Sequence, residues 1–374
     1  MLTAGGLSVF RDSGAPEGHA NDYTTVIIVH GFVWHGGIFA KLVPIARNRG
    51  VRIILLNRRD YPGSKPHTTE ERGLLPPISE APPGDKDAIE RGAEALEMFM
   101  RQRAFELYKC LQAVVEDRNI PPFRPASKTG GVVLVGWSLG SLFVNALLGY
   151  VSSFPVGRIR LVHFIRRVIW QDVPACLLGY PYPTQDPYNP LLDTSLNLEE
   201  KAHALMKWLT SYFSHADLDN PDALERRKAL RHPSSALARM SNEEGECIMH
   251  VPPGSPGGSD WTLLFGCYIY GVFPRLRKRA LYPAVADDMG EDWSNIELRH
   301  IWGDCTVWEV PYGVIQLRQE LAKAEGEGRS VRPVTMVRLR GANHFAHWDH
   351  PEHTLDAYLT DKTRLSDSAC NVFF

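Results

Sequence analysis

The chain has 374 residues, and its 44% hydrophobic and 22% charged residues are the balance of a water-soluble globular protein. The net charge of −2 at pH 7 gives no electrostatic reason to expect nucleic acid or an anionic membrane as a partner. No apolar run approaches the roughly 18 residues that span a bilayer, so a membrane span is not expected.

The cysteines and the N-terminus favour a cytoplasmic protein. The six cysteines are scattered singly without a CxxC pair, which is typical of free thiols in a reducing compartment. The N-terminal stretch MLTAGGLSVFRDSG lacks a basic segment followed by an apolar one, so no signal peptide is expected. We therefore predict a cytoplasmic localisation.

The first part of the chain alternates short apolar runs with longer amphipathic ones. The runs at residues 24–32, 51–60 and 131–138 are continuously apolar over several positions, as in strands buried on both faces of a parallel sheet. Residues 36–48 and 87–119 are predicted as helices, the second from apolar residues at three- and four-residue steps. This alternation predicts an α/β fold with right-handed crossovers.

The texture changes after the third apolar run. Residues 139–150 and 158–167 are predicted as helices, and VIWQDVP after them as another strand. From about 175 to 290 the chain is aromatic, broken by proline and mostly helical, and sheet texture resumes at 297–304 and 334–344. A helical insertion between two strands of one sheet predicts a cap. The predicted domains are a core in two parts, residues 1–174 and 291–374, and a cap or lid, residues 175–290.

One short segment places a serine between two glycines. In VVLVGWSLG, Ser138 follows a buried strand and precedes a helix, which is the context of a nucleophile elbow. Gly136 and Gly140 leave room where a β-carbon would clash with neighbouring elements. The N-terminal end of the following helix favours a developing negative charge. The segment therefore predicts Ser138 as a nucleophile.

A serine hydroxyl needs a base, and the base needs a carboxylate that orients it. His344 in LRGANHF and Asp304 in LRHIWGDCT follow the last two predicted strands, and we predict them as base and acid. Asp172, at the end of the strand VIWQDVP, is the alternative acid. Three further histidines are interpreted as supporting or surface residues rather than metal ligands: His347, His350 and His353.

Two backbone N–H groups are expected to stabilise the oxyanion of such a site. Leu139 directly follows the nucleophile, and Phe32 follows the His30-Gly31 turn after an earlier strand. No cofactor and no metal is implied. Aromatic side chains at the predicted site and in the cap favour a bulky, apolar small-molecule substrate. The predicted substrate-binding residues are Trp34, Trp137, Tyr180 and Trp308.

These motifs resemble the α/β-hydrolase superfamily, specifically its cap-bearing, serine esterase-like branch. HGF at 30–32, GWSLG at 136–140, GD at 303–304 and GANH at 341–344 stand where the family has its hole, elbow, acid and base. The resemblance covers the core and not the cap. It implies an α/β-hydrolase fold, with a mostly parallel sheet flanked by helices and a mainly helical cap inserted before the strand that carries the acid.

The predicted reaction is hydrolysis of a carboxylic ester, or of a related lactone or thioester, through an acyl-enzyme on Ser138. His344 takes and returns the proton, and Asp304 orients the imidazole. Serine at the elbow argues against the alkyl-enzyme chemistry of epoxide hydrolases and haloalkane dehalogenases, which use a carboxylate. The same triad leaves carbon–carbon bond hydrolysis and acyl transfer open. A ligand-binding receptor on a hydrolase scaffold is the alternative outside catalysis, and the oligomeric state stays open.

Overall fold

The computed structural model describes residues 4–18, 21–78, 85–284 and 290–361. Its strands are β1 Ser8–Asp12, β2 Thr24–Val29, β3 Val51–Asn57, β4 Val132–Trp137, β5 Ile165–Gln171, β6 Glu297–Gly303 and β7 Val334–Leu339. They form one sheet in the order β1-β3-β2-β4-β5-β6-β7. Only β1 pairs antiparallel with its neighbour within this sheet. The expected α/β fold with a mostly parallel sheet is confirmed.

Helices cover both faces of the sheet. The helices are α1 Leu42–Asn48, α2 Thr69–Arg72, α3 Lys86–Asp117, α4 Gly140–Tyr150, α5 Leu198–Thr210, α6 Asn242–Ile248, α7 Ser259–Ile269, α8 Val272–Leu281, α9 Glu309–Gly326, α10 Ala346–Asp349 and α11 Pro351–Leu359. The helices predicted over 87–119 and 139–150 are confirmed as α3 and α4. In the 36–48 prediction, a 3₁₀ turn at Gly36–Phe39 precedes α1.

The continuous apolar runs are explained by burial on both faces. In β2, Val26 and Ile28 pack into the cluster that contains residues of α1 and α11. Ile27 and Val29 point the other way, into the cluster with residues of α3 and α4. Each such side chain removed from water contributes about 1.5–3 kcal/mol. Polar positions are therefore scarce in these strands, and alternation is replaced by an unbroken run.

The helix predicted over residues 158–167 is wrong. Strand β5 already begins at Ile165, and Val133 of β4 pairs with Arg167. Arg167 is buried at the strand and donates to the carbonyl oxygens of Tyr358 and Thr360 at 3.2 and 2.9 Å. Acceptors from the distant C-terminal helix thus allow a charged residue in the strand, and no local pattern predicts them.

In its described part, the chain between β5 and β6 consists of helices and loops without a sheet strand, apart from an isolated bridge between Trp34 and Met249. Its last helix, α8, packs against α4 of the core. A β-carbon built on Gly149 would stand 2.7 Å from Cβ of Arg279, so the two helices meet closely at this point. This contact packs α8, which lies within the predicted cap, against the helix layer of the core. The limits of 175–290 for the cap stay a prediction.

Two expectations from composition concern cysteines and membrane spans. Cys110, Cys176, Cys247, Cys267 and Cys305 are free thiols, and Cys370 lies outside the described residues. In the described ranges, no helix combines the length and the apolarity that crossing a bilayer requires.

A buried histidine in β6 makes the stability of the protein depend on pH. His300 is fully buried and packs edge-on against Trp170, and its ring nitrogens have no hydrogen-bond partner among the described residues. Burial lowers the pKa of His300 from 6.5 to about 4. Below pH 6.5 the unfolded chain therefore binds a proton that the folded chain does not, and stability falls until about pH 4.

We expect His300→Phe to reduce the loss of stability between pH 6.5 and about pH 4. The difference between 6.5 and about 4 corresponds to about 3 kcal/mol of unfolding free energy. Urea denaturation at pH 7 and pH 4 should show a loss on acidification that is smaller in the variant by about that amount. Between pH 7 and 8 the unfolding free energies of the two proteins should change with pH in the same way. An equal acid loss in both would show that His300 does not titrate in this range.

Candidate active site

Ser138 lies in a strained turn between β4 and α4. Its φ of 51° is in the left-handed region, which is uncommon for residues other than glycine and is often found at functional sites. The Ser138 N–H donates to the carbonyl of Gln171 at 3.1 Å. Its own carbonyl accepts from the N–H and the hydroxyl of Ser141 at 3.0 and 2.6 Å. The surrounding hydrogen bonds therefore hold the strained residue in place.

The glycines around Ser138 are required by close backbone contacts. A β-carbon on Gly136 would stand 2.8 Å from the carbonyl oxygen of Gly140. One on Gly140 would stand 2.4 and 2.6 Å from the carbonyl oxygens of Val29 and His30. The loop after β2 therefore lies directly against the turn of Ser138.

His344 and Asp172 meet at the carboxyl edge of the sheet. His344 Nδ1 and Asp172 Oδ2 are 2.6 Å apart, and both side chains are almost fully buried. The other Asp172 oxygen accepts the N–H of Gly303 at 2.7 Å, and the Thr306 hydroxyl donates to Oδ2 at 2.7 Å. Hydrogen bonds to the ionised form stabilise a buried carboxylate. Asp172 is thus the residue that holds the imidazole of His344.

The structure does not place Asp304, the predicted acid, in contact with the imidazole of His344. Asp304 accepts the N–H of Gly341 at 2.6 Å, and its other oxygen lies 3.6 Å from Nε of Arg338. It therefore closes the turn that follows β7, on the rim of the sheet. The sheet register explains why Asp172 lies at this site. Trp137 pairs with Gln171, so the residues that follow them, Ser138 and Asp172, end adjacent strands.

Trp137 lies between Ser138 and His344, because it precedes Ser138 in the chain and contacts His344. The indole N–H of Trp137 donates to the carbonyl oxygen of His344 at 3.0 Å, and the two rings lie 5.2 Å apart. No hydrogen bond joins the Ser138 hydroxyl to the His344 ring in the structure. Such contacts are often long without substrate and shorten in the reactive complex.

The two predicted oxyanion donors have free backbone N–H groups. Within the described residues, neither Phe32 nor Leu139 donates its N–H to a protein acceptor. Leu139 is buried and Phe32 is half-buried, so both N–H groups can donate to an acceptor from outside the chain. Val33, next to Phe32, has a φ of 57°, which is strained for a β-branched residue.

The four aromatic residues predicted to bind substrate are instead buried in the core. Trp34 packs edge-on against Phe345, and the Trp308 indole donates to a carbonyl at 2.8 Å. The Tyr180 hydroxyl donates to Glu320 at 2.6 Å, while Trp137 bonds His344 as described. None of the four lines the pocket that Phe32 and residues of α5 enclose.

A pocket of about 540 Å³ lies between the segment that joins β5 to β6, predicted as the cap, and the loop after β2. Phe32 and Val33 form one side of it, and apolar residues of α5 form another. The sequence signal was present in α5, where Leu198, Ala202 and Leu205 recur at helical spacing. The pocket residues from the cap are Leu191, Leu198, Glu199, Ala202, His203, Leu205, Met206, Leu237, Met249, Val251, Gly254, Ser255, Pro256 and Trp261.

A buried carboxyl group near His344 was missed by the sequence analysis. Glu309, at the start of α9, accepts from the Tyr182 hydroxyl and the Asn189 amide at 2.7 Å each, and from the Cys176 thiol at 3.3 Å. Burial raises the pKa of Glu309, and the nearby His344 acts in the opposite direction. The three donors come from the segment after β5, which gave no motif.

The histidines after His344 have structural surroundings. His347 is fully buried, and its Nδ1 lies 3.0 Å from the amide nitrogen of Gln171. Burial lowers the pKa of His347 well below its ordinary value, so the ring accepts this hydrogen bond as a neutral imidazole. His350 and His353 are half-buried neighbours with ring centroids 6.5 Å apart. No cluster in the described part of the chain has the ligands for a metal ion.

Neither a protein-family model nor a curated protein sequence matches the chain. Three solved structures illustrate the structural likenesses. An esterase from Exiguobacterium antarcticum has a TM-score of 0.49 and 13% identity, covering 95% of this chain and 96% of that chain. Epoxide hydrolase A from Mycobacterium thermoresistibile has values of 0.47 and 14%, covering 94% and 96%. A bromoperoxidase from Bacillus anthracis has values of 0.42 and 15%, covering 94% of both chains.

The close contact at the elbow predicts a severe effect for one added methyl group. We expect Gly140→Ala to destabilise the protein by about 1–3 kcal/mol, because the β-carbon would overlap the carbonyls at the end of β2. Gly245→Ala is the matched control, since a β-carbon in that helix meets nothing within 4 Å. Chemical denaturation should find the control neutral or more stable by up to about 1 kcal/mol. Equal stability of both variants would contradict the contact.

Proposed function

We propose that the protein is a serine hydrolase that cleaves carboxylic esters of bulky apolar substrates. The observation that carries this proposal is the buried 2.6 Å contact between His344 and Asp172, beside a serine in a strained turn. An imidazole held through Nδ1 presents its Nε2 as a base, which is the arrangement that activates a serine. Related lactones and thioesters are open to the same chemistry.

In the proposed mechanism, Ser138 attacks the carbonyl carbon while His344 accepts the hydroxyl proton. His344 then returns the proton to the leaving alcohol as the tetrahedral intermediate collapses to an acyl-enzyme. Water attacks the acyl-enzyme by the same route in reverse. Asp172 keeps the imidazole in the required tautomer and stabilises its positive charge throughout.

The oxyanion of each tetrahedral intermediate is proposed to accept hydrogen bonds from the N–H groups of Phe32 and Leu139. Both groups are unpaired toward the protein among the described residues, so no internal bond has to break when the charge develops. Preorganised donors of this kind account for a large part of the rate enhancement in acyl transfer.

The substrate class is proposed from the pocket in the cap. Its volume of about 540 Å³ lies within the usual range of ligand sites, and its lining is mostly apolar. Phe32 belongs both to this pocket and to the proposed oxyanion hole. An ester whose long or branched apolar group fills the pocket would therefore have its carbonyl beside Ser138.

The first test is covalent labelling of Ser138. A fluorophosphonate should add once to the wild type, as seen by intact mass, and not to Ser138→Ala. Turnover of p-nitrophenyl esters should fall by several orders of magnitude in the same variant, as expected of a broken triad. Ser234→Ala, at an exposed serine, should keep both labelling and turnover. Labelling without repeated turnover would indicate a receptor on a hydrolase scaffold, and no labelling would contradict the proposal.

The second test separates the two carboxylates. We expect Asp172→Asn to lower kcat about 10⁴-fold, because an amide favours the wrong tautomer of His344. Asp304→Asn keeps an oxygen for the Gly341 N–H, so kcat should stay within about threefold of wild type. Steady-state kinetics on one p-nitrophenyl ester measures both variants. The reverse order of effects would restore Asp304 as the acid.

A further inference from the structure

Arg58 is a buried arginine that contacts the turn before Phe32. It lies in the NRRDYPGS segment after β3, and its side chain is 3% exposed. Its Nη2 donates to the carbonyl of Gly31 at 2.9 Å, and its Nε donates to the carbonyl of His30 at 3.2 Å. A charged group is thus directed at the backbone of the loop that carries the proposed oxyanion donor.

The carbonyl of Gly31 and the N–H of Phe32 belong to one peptide group. Because a trans peptide is planar, its oxygen and its N–H point in opposite directions. His30 Nε2 accepts the backbone N–H of Arg58 at 3.1 Å, so Nδ1 carries the proton and donates to the same Gly31 oxygen at 3.0 Å. Two donors therefore hold one end of this peptide and set the direction of the Phe32 N–H at the other.

The partner of Arg58 comes from the cap. Asp260, in the first turn of α7, accepts two hydrogen bonds from the guanidinium at 2.7 and 2.6 Å. The Tyr61 hydroxyl donates to the same carboxylate at 2.6 Å and accepts the N–H of Val33 at 3.1 Å. Both partners of the ion pair are almost fully buried, so removal of either would leave an uncompensated charge.

A second set of contacts ties the cap to the same loop through the backbone. The N–H of His35 donates to the carbonyl of Ile248 at 3.0 Å, and the N–H of His250 donates to the carbonyl of Val33 at 2.7 Å. A β-carbon on Gly254 would stand 2.3 Å from a methyl group of Val33. The strained conformation of Val33 is thus enclosed by cap residues on one side and by Tyr61 on the other.

From these contacts we infer that Arg58 is a positioning residue for the oxyanion hole, held by the cap through Asp260. The cap then has two roles: it forms the substrate pocket, and it sets the direction of the Phe32 N–H. A cap that moves away from Arg58 would release the Gly31–Phe32 peptide. The inference rests on the proposed function, because the Phe32 N–H has a catalytic role only in a hydrolase.

The test compares variants of the ion pair with variants of nearby contacts. Arg58→Met and the double variant Arg58→Met/Asp260→Asn remove the positioning bonds, and the double variant leaves no unpaired charge and keeps an acceptor for Tyr61. Ser259→Ala removes a neighbouring cap contact, the 2.6 Å bond to Asp60, without touching Gly31. Arg277→Met breaks a similarly buried ion pair of α8 with Glu320. Thermal unfolding of every variant measures stability separately.

We expect both Arg58 variants to lower kcat and the rate of phosphonylation roughly 10–100-fold, with KM changed less than about threefold. Ser259→Ala and Arg277→Met should keep the wild-type kcat when folded. The double variant should recover stability but not the rate. A double variant with the wild-type kcat, or a loss of kcat in all variants in proportion to their stability, would overturn the inference.

A spectroscopic measurement separates this inference from the proposed function. In protein labelled with ¹⁵N-phenylalanine, Phe32→Leu identifies the Phe32 amide signal. Both Arg58 variants should shift this signal in the free protein, and Ser259→Ala should not. If wild type proves inert to fluorophosphonate, the proposed function fails while this shift still supports Arg58 as the residue that orients the peptide. An unmoved signal in both Arg58 variants would refute the positioning role itself.

Discussion

The site is built on a backbone contact that leaves no space for side chains. The turn between β4 and α4 packs so closely on the end of β2 that a β-carbon on Gly140 would overlap two carbonyl oxygens. A β-carbon on Gly31 would likewise stand 3.2 Å from Cβ of Ser138. This approach brings the loop of Phe32 against the turn of Ser138. Every other feature of the site is arranged around these two touching segments.

Buried charge is stabilised at the same edge of the sheet by complete sets of hydrogen bonds. Asp172 has three partners, and the Arg58 guanidinium bonds a carboxylate and two backbone carbonyls. A buried ion without such partners would be costly, whereas fully bonded ones fix the geometry of the groups they contact. The apolar residues of α5 shape a pocket on the other side of Phe32. Polar contacts thus orient the backbone of the loop that carries Phe32, and apolar side chains line the pocket next to it.

The parts of the site that were predictable from sequence are those with a local cause. Ser138 is recognisable because its strand, its turn and its helix are adjacent in the chain. His344 is recognisable because it follows the last strand of the sheet, and its burial beside Asp172 agrees with that position. The core helices α3 and α4 follow from apolar spacing. The wrong helix over 158–167 arose where charged residues of β5 bond to the C-terminal helix, far away in sequence.

By itself, the sequence determined the parallel sheet, the elbow at Ser138 and the position of His344, because each depends on a pattern within about ten neighbouring residues. Only the tertiary structure showed that Asp172 rather than Asp304 contacts His344, since both follow apolar strands and differ only in which strand lies beside β4. It also showed that Trp34, Trp137 and Trp308 are buried in the core and that residues of α5 line the pocket. Strand order and the direction of a side chain are set by long-range packing, which no local pattern contains.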